Sequence, residues 1–212
     1  VGFQITALYI ASMGYQKKDY YFRKAKQENY AARSVFKLQE MDQRFKIFRS
    51  KDRVLDLGAA PGSWSQYASG KIGFEGRILG IDLQLVELSL PNGIFLVQDL
   101  ETIVWEDVFV DSGVMPPFDV VISDMAPQTT GVRFVDQARS SELCQLVVAT
   151  ADRFLKRQGH LVFKLFQSED LEMFRALLKK NYARVEILRP KGTRKESKEI
   201  FLVGLNFLRK SK

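Results

Sequence analysis

Cysteine and histidine are almost missing from this chain, one of each in 212 residues. Cys144 therefore has no partner for an internal disulfide, and with His160 as the only histidine no Cys/His cluster of zinc-site spacing exists. A reducing, cytosol-like compartment follows as the default, and no metal is expected. Long apolar runs are missing too: none approaches the roughly 20 residues of a membrane span. Val1 to Ile10 is apolar, yet it lacks the charged start and small-residue cleavage pattern of a secretion signal. Cytoplasm is the expected location, with an organellar matrix as the alternative, and no membrane partner is expected. The dinucleotide fingerprint G-x-G-x-x-G is likewise absent, because Ala60 stands where its second glycine would be and Pro61 follows. That absence removes the usual seat for a pyrophosphate.

What is present is a chain of 46% hydrophobic and 27% charged residues, long enough for one full core and short for two. The net charge of +7 is local. Tyr15 to Lys37 holds Lys17, Lys18, Arg23, Lys24, Lys26, Arg33 and Lys37 against Asp19 and Glu28. Arg189 to Lys198 holds Arg189, Lys191, Arg194, Lys195 and Lys198 against Glu196, so the rest of the chain is slightly negative. Tyr15, Tyr20, Tyr21, Phe22 and Tyr30 are interleaved with the first cluster. Cations among stacking rings suit a nucleic-acid backbone and exposed bases, although a solvated basic tail has the same composition. Residues 1–28 read as a basic tail, poorly ordered or laid across the surface, and 29–212 as a single domain.

Periodicity orders that domain. Ala32, Val35, Phe36, Leu38 and Met41 recur at near-helical spacing and predict a helix from Tyr30 to about Phe45. Short apolar runs predict strands at Arg53–Leu57, Arg77–Ile81, Ile94–Gln98, Phe118–Ser123, His160–Phe166, Arg184–Leu188 and Glu199–Phe207. Helices are expected from Gly62, from about Asp136 to Lys156, and over Glu169–Lys179. The alternation predicts a seven-stranded, mostly parallel α/β sheet with helices on both faces. Only the last two strands are expected to lack an intervening helix, which makes the seventh antiparallel.

In such sheets ligands bind beyond the carboxyl ends of the strands. The first strand leads through Gly58 and Gly62 into Trp64, and Asp82, Asp99 and Asp124 follow the second, third and fourth strands. One carboxylate there can be a helix cap; three in succession are harder to dismiss as caps. Asp82, 20 residues beyond Gly62, has the spacing of a ribose-binding acid, which nicotinamide enzymes and methyltransferases share. Lys164 interrupts the otherwise apolar fifth strand. His160, at a strand start, and Cys144, in mid-helix, read as structural.

The strings ARSVFKL (Ala32 to Leu38), DLGAAPGSWSQ (Asp56 to Gln66), SDMAP (Ser123 to Pro127), VFKLF (Val162 to Phe166) and SKEIFLV (Ser197 to Val203) together resemble the FtsJ/RrmJ family of ribose 2′-O-methyltransferases. The resemblance covers about residue 15 to the C-terminus. It implies a Rossmann-like methyltransferase fold, S-adenosylmethionine as cofactor and a ribose hydroxyl of RNA as acceptor. It places a catalytic set on Lys37, Asp124, Lys164 and Glu199, and cofactor contacts on Gly62, Trp64, Asp82, Asp99 and Asp124. The compact chain is similar to members that act, as monomers, on a uridine of large-subunit ribosomal RNA; relatives of like size that modify the tRNA anticodon loop are the alternative. Two readings from other classes share part of the pattern, a nicotinamide-dependent oxidoreductase and a non-catalytic RNA-binding module. A cytosine-C5 methyltransferase would need a cysteine in the loop after strand four, and Ser123 to Gln128 has none.

The residue types suit the chemistry. Methyl transfer to an alcohol needs the hydroxyl held in line and its proton removed. A lysine accepts a proton only when its pKa is brought down from about 10.4; burial and nearby positive charge do this, and carboxylates oppose it. Lys164 is the favoured acceptor, with Asp124 orienting it and Lys37 and Glu199 positioning the ribose. The rival assignment keeps Lys164 a permanent cation and gives the proton to Asp124. With strand seven beside strand five and neighbouring strands about 4.8 Å apart, Asp124 and Glu199 are both expected to reach Lys164.

Overall fold

A computed structural model describes residues 20–193 and 197–208. Tyr15, Lys17, Lys18, Arg194 and Lys195 of the basic clusters, and Val1 to Ile10, lie outside the described residues. In chain order the elements are α1 (Val35–Phe45), β1 (Arg53–Leu57), α2 (Ser63–Ile72), β2 (Arg77–Asp82), β3 (Gly93–Val97), α3 (Trp105–Ser112), β4 (Phe118–Ser123), α4 (Arg133–Phe154), β5 (Leu155–Phe166), α5 (Asp170–Asn181), β6 (Tyr182–Leu188) and β7 (Glu199–Phe207). All seven strands form one sheet in the order β3-β2-β1-β4-β5-β7-β6. Only β7 is reversed, antiparallel to both β5 and β6. No helix among the described residues is long and apolar enough to cross a membrane.

Because strand side chains alternate between faces, the central strands build two cores. Leu55, Leu79, Val121, Leu161, Phe163 and Leu202 pack beneath α3, α4 and α5. Val54, Ile78, Val120, Val162 and Phe201 pack beneath α1 and α2. Both faces are covered, which explains why β1 and β4 read as apolar runs without alternation. Asp56 and Lys164 share the α1/α2 face, each two residues beyond an apolar neighbour, Val54 and Val162.

Four features depart from the sequence reading. The connection between β2 and β3 carries no helix although the strands are parallel; its Val86 and Leu88 instead press on Gly62. Trp105–Ser112 forms α3, burying Trp105, Val108, Phe109 and Ser112 at helical spacing. Strand β5 begins at Leu155, directly out of α4, with a bulge opposite Phe118 and Val120 that takes up the polar residues before His160. In the stretch read as a surface tail, residues 20–27 are helical, with Ala25 buried and the Tyr21 ring 5.5 Å from that of Phe36 on α1.

Candidate active site

At the carboxyl end of β1 the chain turns at Gly58, where φ is +77°. The Gly58 and Ala59 N–H groups both donate to the Ile81 carbonyl, at 2.8 and 3.1 Å. A Cβ at Gly58 would lie 2.1 Å from Met125 Cγ, so only glycine lets the turn pass under the segment after β4. Gly62, with φ +104°, starts α2 without any side-chain cap, which leaves a helix N-terminus turned toward the strand ends. Asp82 braces this turn: its Oδ2 accepts the Ala60 N–H at 2.9 Å and its Oδ1 the Gln84 N–H at 2.8 Å. Asp99 is exposed just past β3, its Oδ1 accepting the Glu101 N–H at 2.9 Å.

Two residues around this turn are buried. Trp64 is 3% exposed, packs 5.8 Å from the Phe201 ring, and donates Nε1–H to the Ser34 carbonyl at 3.0 Å. Asp56, not singled out in the sequence beyond its motif, lies fully buried beneath the turn and accepts a hydrogen bond from Ser65 Oγ at 2.7 Å. Burial, with the nearby Asp124 and Asp82 carboxylates adding to it, pushes Asp56 up to about 7. An acid inside an apolar strand was the available signal.

On the other side of the switch point, Asp124 directly follows β4 and Lys164 sits near the end of β5. Ser123 pairs with Phe163 in the parallel register, so Asp124 comes level with Lys164. Lys164 Nζ lies 3.0 Å from Asp124 Oδ1 and also donates to the Asp124 main-chain carbonyl. The Oδ1 contact is an ion pair of poor hydrogen-bond alignment, so this buried oxygen still has unfilled accepting capacity. Lys37, on α1, places Nζ 2.7 Å from Glu199 Oε1 and 5.6 Å above the Phe201 ring. All four side chains are largely buried.

The expectation that both carboxylates reach Lys164 is corrected by the register of β5 and β7. Phe201 is the residue opposite Lys164, and Glu199 stands opposite Phe166, two positions further along. Glu199 thus occupies the position diagonal to Lys164, and its ion pair is with Lys37. The four residues form two pairs, one from β4 and β5 and one from α1 and β7, with the Phe201 ring under the second.

Sequence reasoning passed over what holds Lys164. β4 ends level with Phe163, and α4 takes over beyond it: Cys144 Sγ–H donates to the Lys164 carbonyl at 3.1 Å, and Ser140 Oγ accepts the Phe166 N–H at 3.1 Å. These residues lie four apart on one helix face. Burial pushes the Cys144 thiol up to about 12. His160 is buried, its Nδ1 accepting the Asn206 N–H at 3.2 Å, and burial lowers it to about 4.

The two basic segments, distant in sequence, meet beside α1. The Lys191 N–H donates to Glu40 Oε2 of α1 at 2.8 Å, and a side chain at Gly192 would touch the Tyr21 ring at 3.8 Å. Tyr20 and Phe22 are each 56% exposed on the helical residues 20–27.

A sheet ordered 3-2-1-4-5-7-6 with only β7 reversed, an uncapped glycine turn and acids after β2, β3 and β4 define a Rossmann-like methyltransferase. The chain belongs to the FtsJ-like methyltransferase family, whose model matches residues 30–207. It is 58% identical over 194 residues to the ribosomal RNA large subunit methyltransferase E of Bdellovibrio bacteriovorus, covering 92% of this chain and 99% of that protein. It is 49% identical over 197 residues to the protein of the same name from Nitratidesulfovibrio vulgaris, covering 90% and 93%. A solved protein from Plasmodium falciparum, provisionally described as a ribosomal RNA methyltransferase, shares the fold with a TM-score of 0.75 at 24% identity, covering 84% of this chain and 99% of its own. Family membership decides for a methyl-transferring enzyme and against the oxidoreductase and non-catalytic readings.

Proposed function

We propose that this enzyme transfers the methyl group of S-adenosylmethionine to a ribose 2′-hydroxyl of RNA, a uridine of large-subunit ribosomal RNA, acting as a monomer in the cytoplasm. The observation that carries the reading is the pairing of Lys164 with Asp124 at one strand end, beside Lys37 with Glu199. The names of the two bacterial relatives supply the substrate class.

The residues around the turn fit the cofactor. Asp82 and Asp99 keep lone pairs for ribose hydroxyls beyond the backbone bonds they already accept. The uncapped start of α2, at Gly62 and the Trp64 backbone, suits a carboxylate. Asp124, with its unfilled Oδ1, favours a positive charge nearby. When bound, S-adenosylmethionine supplies an electrophilic methyl on sulfur, and the acceptor oxygen displaces the thioether.

The chain's own residues manage the hydroxyl. Asp124 pairs with Lys164 Nζ through Oδ1 and accepts a hydrogen bond from it at the main-chain carbonyl, and so fixes its direction. In its neutral form Lys164 takes the 2′-hydroxyl proton as the oxygen–carbon bond forms, ending as an ammonium beside the Asp124 carboxylate. Lys37 and Glu199, locked to each other, hold the ribose in line with the methyl group, the alignment on which the rate depends. Lys24, Lys26 and Lys191 draw in the RNA backbone.

Ribose methylation mapped across total RNA, with and without the enzyme, tests the proposal. One large-subunit uridine losing its 2′-O-methyl group in the enzyme's absence is the expected result. Loss confined to a tRNA anticodon loop, or no loss, overturns the substrate assignment.

A further inference from the structure

The residues after the cofactor turn, Ser63-Trp64-Ser65-Gln66, have an arrangement that cofactor binding does not require. Ser65 turns inward to Asp56. The other three reach away from the turn to the segment leading into α1. Ser63 Oγ meets Ser34 Oγ at 2.9 Å, and Trp64 Nε1–H donates to the Ser34 carbonyl at 3.0 Å. Gln66 accepts the Ala31 N–H at 3.1 Å and donates to the Asn29 carbonyl at 2.6 Å. Four hydrogen bonds thus join the first turn of α2 to residues 29–34, immediately before the helix that carries Lys37. The Trp64 ring makes a second connection by lying against Phe201, the ring beneath Lys37 Nζ and opposite Lys164 in the β5–β7 register.

We infer that Trp64 and Gln66 are positioning residues that brace the Lys37 helix against the cofactor turn, so that cofactor occupancy and acceptor binding are coupled. The inference rests on the methyltransferase reading above and adds to it a role for side chains on the acceptor half of the site. The physical argument is local. α1 makes no strand pairing, so its position over the β7 end depends on side-chain contacts, and Ser34 at its start is hydrogen-bonded to Ser63 and Trp64 of α2. The N-terminus of α2 is also where the cofactor seats. An ordered turn therefore means an ordered α1 start and a Lys37 fixed over Phe201; a loosened turn releases both. Displacement of a positioning group by about 1 Å costs on the order of 100-fold in rate.

Linkage makes the coupling measurable, because the factor by which cofactor tightens RNA must equal the factor by which RNA tightens cofactor. RNA dissociation constants are measured with and without S-adenosylhomocysteine, in the wild type, Trp64→Phe and Gln66→Ala. Trp64→Phe keeps a ring on Phe201 and loses the bond to Ser34; Gln66, half-buried at the surface, can be truncated without opening the core. The wild type is expected to bind RNA about tenfold more tightly with the cofactor product present. In each variant that ratio falls toward one and kcat drops about tenfold or more, while in Gln66→Ala the cofactor dissociation constant measured without RNA is little changed. A ratio of one in the wild type, or a wild-type ratio preserved in Gln66→Ala, overturns the brace. If the wild type transfers no methyl group to RNA, the underlying reading fails instead, and the two failures are distinguishable.

Discussion

Lys37 Nζ and Glu199 Oε1 lie 2.7 Å apart although 162 positions separate them in the chain, and their side chains are only 10% and 13% exposed. A pair so sheltered from solvent is held by its geometry, since removing one partner strands the other charge. Lys37→Met and Glu199→Gln should each lower kcat by at least about tenfold, and the double variant should lose less than the two effects combined. A double-mutant cycle on kcat/KM should give a coupling energy of about 0.5 to 3 kcal/mol. Additive losses would show that the two residues act separately.

Lys164→Arg retains a positive charge and removes the capacity to accept a proton. In single-turnover assays its rate should fall by about 100-fold or more. Near-normal chemistry in this variant would transfer the role of base to Asp124.

The buried Asp56 carboxyl gives a stability signature. Its pKa is pushed up to about 7 in the folded protein, against about 3.9 for an unfolded aspartate. Between these values the folded state holds the extra proton, so the contribution of Asp56 to stability is full below about pH 4 and is lost as pH rises toward 7. His160, lowered to about 4 by burial, acts oppositely over pH 4 to 6.5, so the difference between wild type and Asp56→Asn isolates the carboxyl. Urea denaturation of both across pH 4 to 8 should show the variant gaining on the wild type as pH rises. A pH-independent difference would mean that Asp56 does not titrate in this range.

Ser140 and Cys144 should matter to Lys164 through its backbone. Ser140→Ala leaves the Phe166 N–H without its acceptor, at a cost of about 1 to 3 kcal/mol in denaturant unfolding. Cys144→Ser keeps a donor to the Lys164 carbonyl and should stay closer to wild type than Cys144→Ala. With its pKa pushed up to about 12 and its side chain buried, the Cys144 thiol should resist alkylation at pH 8 until the protein unfolds. Rapid labelling of the folded enzyme would contradict the packing of α4 on β5.

RNA affinity should fall steeply with salt. The slope of log K against log salt should shrink by about 0.7 for each phosphate contact removed from a single strand, with Lys26→Ala and Lys191→Ala as the substitutions to measure. A slope unchanged in both would return these lysines to the status of solvated surface charge.

Much of the fold was legible because its central strands are short apolar runs bounded by glycine or acid, and β1, β4 and β7 fall at the expected residues. The features missed have physical reasons. α3 is eight residues long and its N-cap residue, Val104, supplies no capping side chain; its apolar spacing and the left-handed Gly113 were the signals left unread. The helical residues 20–27 were masked by their basic, aromatic composition, which fits a surface tail equally well. The β2–β3 connection has the length of a short helix, and its apolar residues serve to cover Gly62.

The sequence by itself determined the parts of the site: a glycine turn after the first strand, an acid at each of the next three strand ends, and a lysine within an apolar strand, all local consequences of side-chain chemistry and period. Tertiary structure alone decided the partners. Whether Glu199 meets Lys164 or Lys37 depends on the antiparallel register of β7 against β5, which sets Phe201 opposite Lys164. That Trp64 meets the start of the Lys37 helix and the Phe201 ring depends on how α1 lies over α2. Such choices are made by long-range packing, which no local pattern encodes.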